Sequence, residues 1–267
     1  MAASTPWKVV WVTGASTGIG QSLALRLASA GAIVAVSARS VDKLGQMAAL
    51  DSNIRAYPLD VEDPAAVSAT VARIERELGP IELAVLNAGI WRMMVVSDFS
   101  AARAKESMAI NYLGVVNALE PVMKSMAERG RGHLAIVSSV AGYRGMMKGA
   151  AYAPTKAALI SLVESLYPHL KRHGIDITVI CPGFVETPMT AVNTFPMPFL
   201  IPVEEAVDRI HEGLAAKKYE IVFPWKMAVL MKTLRILPHK MFFWIVGYAA
   251  NRAQTIDEPG QKRSAND

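Results

Sequence analysis

The chain has 267 residues, 52% hydrophobic and 19% charged, enough for one large α/β domain and incompatible with global disorder. A formal net charge of +5 favours anionic partners only mildly, and no basic run is interleaved with aromatics, so nucleic acid is discounted as a ligand. The single cysteine, Cys181, leaves no internal disulfide and fits a reducing, cytoplasmic compartment; the short polar stretch Met1–Pro6 has no apolar signal core.

Lys8–Val12 is an apolar run with β-branched residues and reads as a buried strand. It runs into Thr13-Gly14-Ala15-Ser16-Thr17-Gly18-Ile19-Gly20, and Ser22–Ala30 has helix-forming composition. A strand, a Gly-rich turn and a helix start make an anion site. Glycine lets the backbone approach a pyrophosphate, and free N–H groups at the helix start face it. The glycines stand at relative positions 1, 5 and 7, not at the 1, 3 and 6 of the usual dinucleotide fingerprint. Ala32–Ser37 is the next strand, with a helix near Val41–Leu50. Where an NAD site usually carries an acid to bind the ribose 2′-hydroxyl, this chain has Ser37 and then Arg39. A guanidinium suits a 2′-phosphate, so NADP(H) is favoured over NAD(H).

Ile54–Leu59 reads as a strand ending at Asp60, and Pro64–Leu78 as a helix with proline in its first turn. Ile81–Leu86 is a fourth strand, closing on Asn87-Ala88-Gly89. A loop over Ile90–Ser100 precedes a long helical region, Ala101–Glu128, that contains Asn111. His133–Ser138 is a fifth strand with Ser139 just past its end; Tyr152–His173 is helical; Asp176–Cys181 is a sixth strand before Pro182-Gly183. This alternation specifies a three-layer, doubly wound parallel sheet with ligand groups at the carboxyl ends of the strands, where Gly14, Asn87, Ser139 and Pro182 all fall.

Tyr152 and Lys156 are four residues apart and share one helix face. Moving a phenol from a pKa of ~10 to near 7 requires roughly 4 kcal/mol, and one ammonium about 4 Å away in a partly solvated site supplies energy of that order. The spacing is therefore sufficient for a working acid or base.

Thr187–Pro202 contains Met189, Val192, Phe195, Met197, Phe199, Leu200 and Ile201 among four prolines, and no charged side chain. An apolar substrate follows, with packing on the core as the plain alternative. Pro202–Ala216 reads as a helix and Tyr219–Phe223 as the last strand. The remainder, Trp225–Ala250, is apolar with Lys226, Lys232, Arg235, His239 and Lys240 interspersed; Pro238 divides it into pieces too short to cross a bilayer. It suits a wall of the substrate pocket, an oligomer contact, or a helix lying peripherally in an anionic membrane interface. Gln254–Asp267 reads as a loose polar end. The expected organisation is a dinucleotide-binding and catalytic domain over 1–223, with a lid at about 187–202, and an extension over 224–267.

With these residues in view, the chain resembles the short-chain dehydrogenase/reductase (SDR) family. The matches are Thr13–Gly20, Asp60, Asn87-Ala88-Gly89, Asn111, Ser139, Tyr152-x-x-x-Lys156 and Pro182-Gly183 with Thr187, in the family's order across roughly Lys8–Thr187. The resemblance implies a Rossmann fold and hydride transfer between a nicotinamide cofactor and an alcohol or carbonyl. It implies that Tyr152 exchanges a proton with the substrate oxygen, that Lys156 lowers the tyrosine pKa and holds the nicotinamide ribose, and that Ser139 hydrogen-bonds the substrate oxygen. Asn111 would hold a water linking Lys156 to solvent. Gly14, Ser16, Thr17, Gly18, Ile19 and Gly20 would line the diphosphate turn, Asp60 and Val61 would lie near adenine, Asn87 (with Ala88 and Gly89) near its ribose, and Val185 and Thr187 near the carboxamide, with Pro182 and Gly183 also binding the cofactor. Ser138 competes for the serine role; Ser139 stands thirteen residues before Tyr152, the family's usual separation. No metal is implied.

Pro154 lies within the motif, where a first helical turn tolerates it; Pro168, deeper in the same helix, is expected to kink it and to disturb the family's usual dimer or tetramer packing. Cys181 reads as a packing residue. The expected activity is an NADP(H)-dependent alcohol dehydrogenase or carbonyl reductase acting on a small apolar substrate, with a cofactor-binding, membrane-associated scaffold as the alternative.

Overall fold

The computed structural model describes residues 5–257, with side chains to Tyr248. Seven strands form one sheet in the order β3-β2-β1-β4-β5-β6-β7. They are β1 Val9–Thr13, β2 Ile33–Ser37, β3 Ile54–Ala56, β4 Leu83–Leu86, β5 Gly132–Val137, β6 Ile175–Pro182 and β7 Glu220–Phe223. Every pairing is parallel, with Trp11 opposite Ala35 on one side and Ala84 on the other. Parallel strands are buried on both faces, and β1 and β4 are accordingly apolar without interruption except at Thr13.

The period of two sorts these side chains into two cores. Val9, Trp11, Ala84 and Leu86 pack under the helices α3 (Pro64–Leu78), α5 (Gly114–Arg129) and α6 (Ala153–Arg172). Val10, Val12, Leu83 and Val85 pack under α1 (Gly18–Ser29), α2 (Val41–Leu50) and α7 (Val203–Ala215). Trp11, Leu23, Ile74 and Leu86 are fully buried, and side chains of this size each stabilise the fold by about 1.5–3 kcal/mol. Three layers result, and the strand order reverses between β1 and β4, which opens a crevice at the carboxyl ends of those strands.

Several boundaries differ from the sequence expectation. The third strand stops at Ala56, although Tyr57 and Leu59 still donate to the backbone of β2 and its following residue, so the chain stays extended without a full ladder. The single helix expected over Ala101–Glu128 is α4 (Ala101–Met108), a π-helical turn Ala109–Leu113, and α5. Helix α6 continues through Pro168 to Arg172 without a break. The extension forms α8 (Trp225–Ile236) and α9 (His239–Asp257), separated at Pro238 as its ring demands. The loose end expected from Gln254 begins as part of α9, and the rest of it lies outside the described residues.

Candidate active site

The turn after β1 is built around Asn87. Its side-chain amide donates to the carbonyls of Thr13 and Gly14, both at 3.1 Å, and Thr13 Oγ1 accepts from the backbone N–H groups of Asn87 and Ala88. These bonds clamp the ends of β1 and β4 together. Gly14 and Gly18 have φ of +65° and +58°, where a side chain is strained. A Cβ on Gly14 would sit 2.7 Å from Ala88 Cα, and one on Gly20 would sit 2.5 Å from both Asn87 Nδ2 and the Gly14 carbonyl. The turn thus leaves bare backbone beside the start of α1, the donor arrangement a pyrophosphate requires.

Next to this turn lies a cavity of about 880 Å³. Its walls include Gly14, Ser16, Thr17, Gly18, Ile19, Arg39, Asp60, Val61, Asn87, Ala88, Gly89, Ser139, Tyr152, Lys156, Pro182, Gly183, Val185 and Thr187. Two of the residues singled out from sequence stand behind its walls. Gly20 is buried under the turn, and Asn111 is fully buried on the π-helical turn. Asn111 Oδ1 accepts from Ile90 N–H at 2.7 Å, while its Nδ2 donates to the Ile90 carbonyl and to Thr155 Oγ1. The π-helical turn Ala109–Leu113 thus carries the amide that ties α4 and α5 to the loop after β4. Asn111 Oδ1 also packs behind Gly89, where a Cβ would meet it at 3.2 Å and Lys156 Nζ at 3.6 Å.

Ser138 and Ser139 both line the cavity, and their hydroxyls differ in what they bond. Ser138 is buried and its Oγ donates to the Lys156 carbonyl at 2.8 Å, anchoring α6 to β5. Ser139 lines the cavity, accepts from Ala141 N–H at 3.1 Å, and acts on the Tyr152 phenol. Tyr152 stands at the start of α6, its ring edge-on to Trp91 with centroids 5.0 Å apart.

The electrostatics differ from the expectation that Lys156 depresses the tyrosine. Burial pushes the Tyr152 phenol up to about 12, with Ser139 working in the opposite direction. Burial also pulls the Lys156 ammonium down to about 8. Lys156 Nζ donates to the Val137 carbonyl at 2.9 Å and lies 5.5 Å from the centre of the Tyr152 ring. Desolvation disfavours both charged forms, and at this separation it outweighs the attraction between them. In the chain by itself, Tyr152 is a protonated donor at neutral pH. Cys181, fully buried, has its thiol pushed up to about 12, which leaves it inert as a nucleophile and consistent with packing.

The far end of the cavity is apolar. Met227, Leu230, Met231 and Leu234 of α8, Ile245 and Val246 of α9, and Phe184, Met189 and Phe195 line it. Of the roles that suited the extension, the pocket wall is one it occupies. The loop from Thr187 is pinned at its base by Val185 bridging Ile201, and Thr190 Oγ1 donates to the Val185 carbonyl at 2.6 Å. Trp91, Thr155 and Lys148 escaped the sequence reading. Trp91 and Lys148 sit in irregular segments with no periodicity to flag them, and Thr155 lies within the Tyr–Lys motif without a pattern that marks its bond to Asn111.

The site fits a dinucleotide: a glycine cradle at a helix start, a cavity of about 880 Å³ at the switch point, and cationic Arg39 and Lys156 on its walls. Residues 8–195 match the family described as short chain dehydrogenase. The chain is 37% identical over 247 residues to an uncharacterized oxidoreductase of Myxococcus xanthus, covering 90% of this chain and 96% of that protein. It is 36% identical over 186 residues to a 2,3-dihydro-2,3-dihydroxybenzoate dehydrogenase of Bacillus subtilis, covering 68% of this chain and 71% of that protein. A short-chain dehydrogenase from Streptomyces avermitilis shares the fold, with a TM-score of 0.77 at 21% identity over 94% of this chain and 96% of that one.

Proposed function

We propose, from the premise that this chain belongs to the short-chain dehydrogenase family and is an NAD(P)-dependent oxidoreductase acting on CH–OH donors, that it uses NADP(H) to interconvert an apolar secondary alcohol and its ketone. The observation that carries this reading is one cavity joining the glycine turn, Ser139, Tyr152 and Lys156 to an apolar end walled by α8 and α9. Lipid, steroid- or retinoid-like, aryl and fatty-acyl ketones all fit such a wall. Residues 1–223 act as the dinucleotide-binding and catalytic unit, 187–202 as its lid, and the extension supplies part of the substrate wall.

A nicotinamide held beside Tyr152 and Lys156 would supply or accept the hydride. Tyr152, protonated in its buried position, donates its hydroxyl proton to the carbonyl oxygen as that oxygen gains charge. Ser139 donates a second hydrogen bond to the same oxygen and stabilises the developing charge. Lys156, cationic below about pH 8, favours the phenolate left behind, and it is the residue that would hold the ribose of the nicotinamide. Asn111 holds the Ile90 backbone and Thr155, which sets the floor beneath Lys156. Arg39 is exposed on the cavity wall with no ion pair among the described residues, so its guanidinium is available to a 2′-phosphate.

Two variants test this with NADPH and a panel of apolar ketones. Tyr152→Phe should lower kcat by at least about 100-fold, the scale of general acid catalysis, with NADPH affinity within a few-fold of wild type; retained turnover removes the tyrosine from its role. Arg39→Asp should weaken NADPH binding by about tenfold or more while sparing NADH, as expected for loss of a charge-assisted bond; an unchanged preference assigns the 2′-phosphate to another group. NADPH binding by wild type without turnover of any ketone would favour the scaffold.

A further inference from the structure

The walls of the substrate end have an outer surface that the chemistry above does not use. On α8, Trp225, Val229 and Ile236 are exposed, and on α9 Met241, Phe243 and Trp244 are exposed, Trp244 to 73%. Leu230 and Ile245 line the cavity and keep exposed surface, so the cavity wall and this face are formed by the same two helices. The face continues onto the lid, because Lys226 Nζ lies 5.9 Å from the Phe199 ring and 5.8 Å from the Trp225 ring. From Ile221 to Ile256 the sequence has no Asp or Glu and five Lys or Arg. Lys232 and Arg235 are paired with Glu220 and Glu164 from other elements, whereas Lys226 and Lys240 are exposed and have no ion pair among the described residues.

We infer that this face docks on an anionic phospholipid surface, with the two helices that wall the cavity turned toward it, so that an apolar substrate passes between bilayer and site without crossing water. No helix among the described residues is long and apolar enough to cross a membrane, so the contact lies in the interface plane. Indole rings at the boundary and unpaired lysines among them match the headgroup region of an anionic leaflet. A second copy of the chain fits less well. A two-fold interface sets a patch against itself and would oppose these lysines to one another, with no carboxylate in the segment to offset them. The substrate route deepens the apolar-substrate reading above, and the docking is independent of it.

Sedimentation of the full chain with vesicles of phosphatidylcholine, alone or mixed with phosphatidylglycerol, tests the docking. The chain should bind the mixed vesicles, lose binding at high salt, and bind neutral vesicles weakly. Trp244→Glu should abolish binding, and Lys226→Glu with Lys240→Glu should weaken it by about tenfold or more, each with an unchanged circular dichroism spectrum. Tyr152→Phe should bind vesicles like wild type, so a failure of the proposed chemistry leaves the docking intact. Absence of binding to mixed vesicles, equal binding to neutral ones, or loss of self-association in Trp244→Glu with vesicle binding unaffected would overturn the inference, the last assigning the face to a second copy.

Discussion

Lys156 is a buried ammonium, 3% exposed, whose bonded partner is a neutral carbonyl, that of Val137. Its shift from 10.5 to about 8 corresponds to roughly 3 kcal/mol of disfavoured charge. Between those two pH values the unfolded chain binds more protons than the folded one, so stability rises with pH across that window and the full penalty applies below about 8. Lys156→Met removes the penalty and also a hydrogen bond of about 1 kcal/mol. The ligand-free variant should therefore be more stable than wild type at pH 7 by on the order of 2 kcal/mol, with the gap narrowing toward pH 10.5. Urea titrations at several pH values measure this, and a variant less stable at pH 7 would remove burial as the cause. Loss of turnover in the same variant would mark the ammonium as kept for chemistry at a cost to stability.

At the scale of the element, the Gly-rich turn and α6 are the two pieces that carry the site. The turn is held less by its own bonds than by the Asn87 amide reaching across from the end of β4. Gly20→Ala places a methyl 2.5 Å from that amide and from the Gly14 carbonyl, and a backbone oxygen yields little. Overpacking of this kind costs about 1–3 kcal/mol, so the variant should melt lower and bind NADPH more weakly, as read by thermal unfolding and fluorescence titration. A wild-type melt would mean that the turn relaxes freely. Helix α6 starts at Ala153 with Pro154 in its first turn, where the missing N–H has no intrahelical partner to lose. Pro168 was expected to remove a backbone bond and kink the helix; the helical run continues four residues beyond it to Arg172. The exposed position of that proline lets its ring and the freed carbonyl face solvent, which softens the penalty of an interior proline.

Across the whole molecule, the strand-helix alternation and the uninterrupted apolar runs determined the doubly wound parallel sheet, because a strand buried on both faces has to be apolar at every position. They also placed Gly14, Asn87, Ser139 and Pro182 at strand ends, and the crevice at the β1–β4 switch point gathers all four. Local spacing put Tyr152 and Lys156 on one helix face, but the sign of their pKa shifts depends on what surrounds them. That environment came from β5, the π-helical turn and the loop after β4, all distant in sequence. The choice between Ser138 and Ser139 is likewise tertiary: both line the cavity, and only packing ties the Ser138 hydroxyl to the Lys156 carbonyl and sets Ser139 beside the Tyr152 phenol. The extension shows the division most plainly. Its composition and the break at Pro238 were readable from the chain, whereas the residues that wall the cavity and those that stay exposed were set by which faces of α8 and α9 pack toward the site. Short-range chemistry follows from neighbours along the chain, while desolvation and cavity shape follow from neighbours in space.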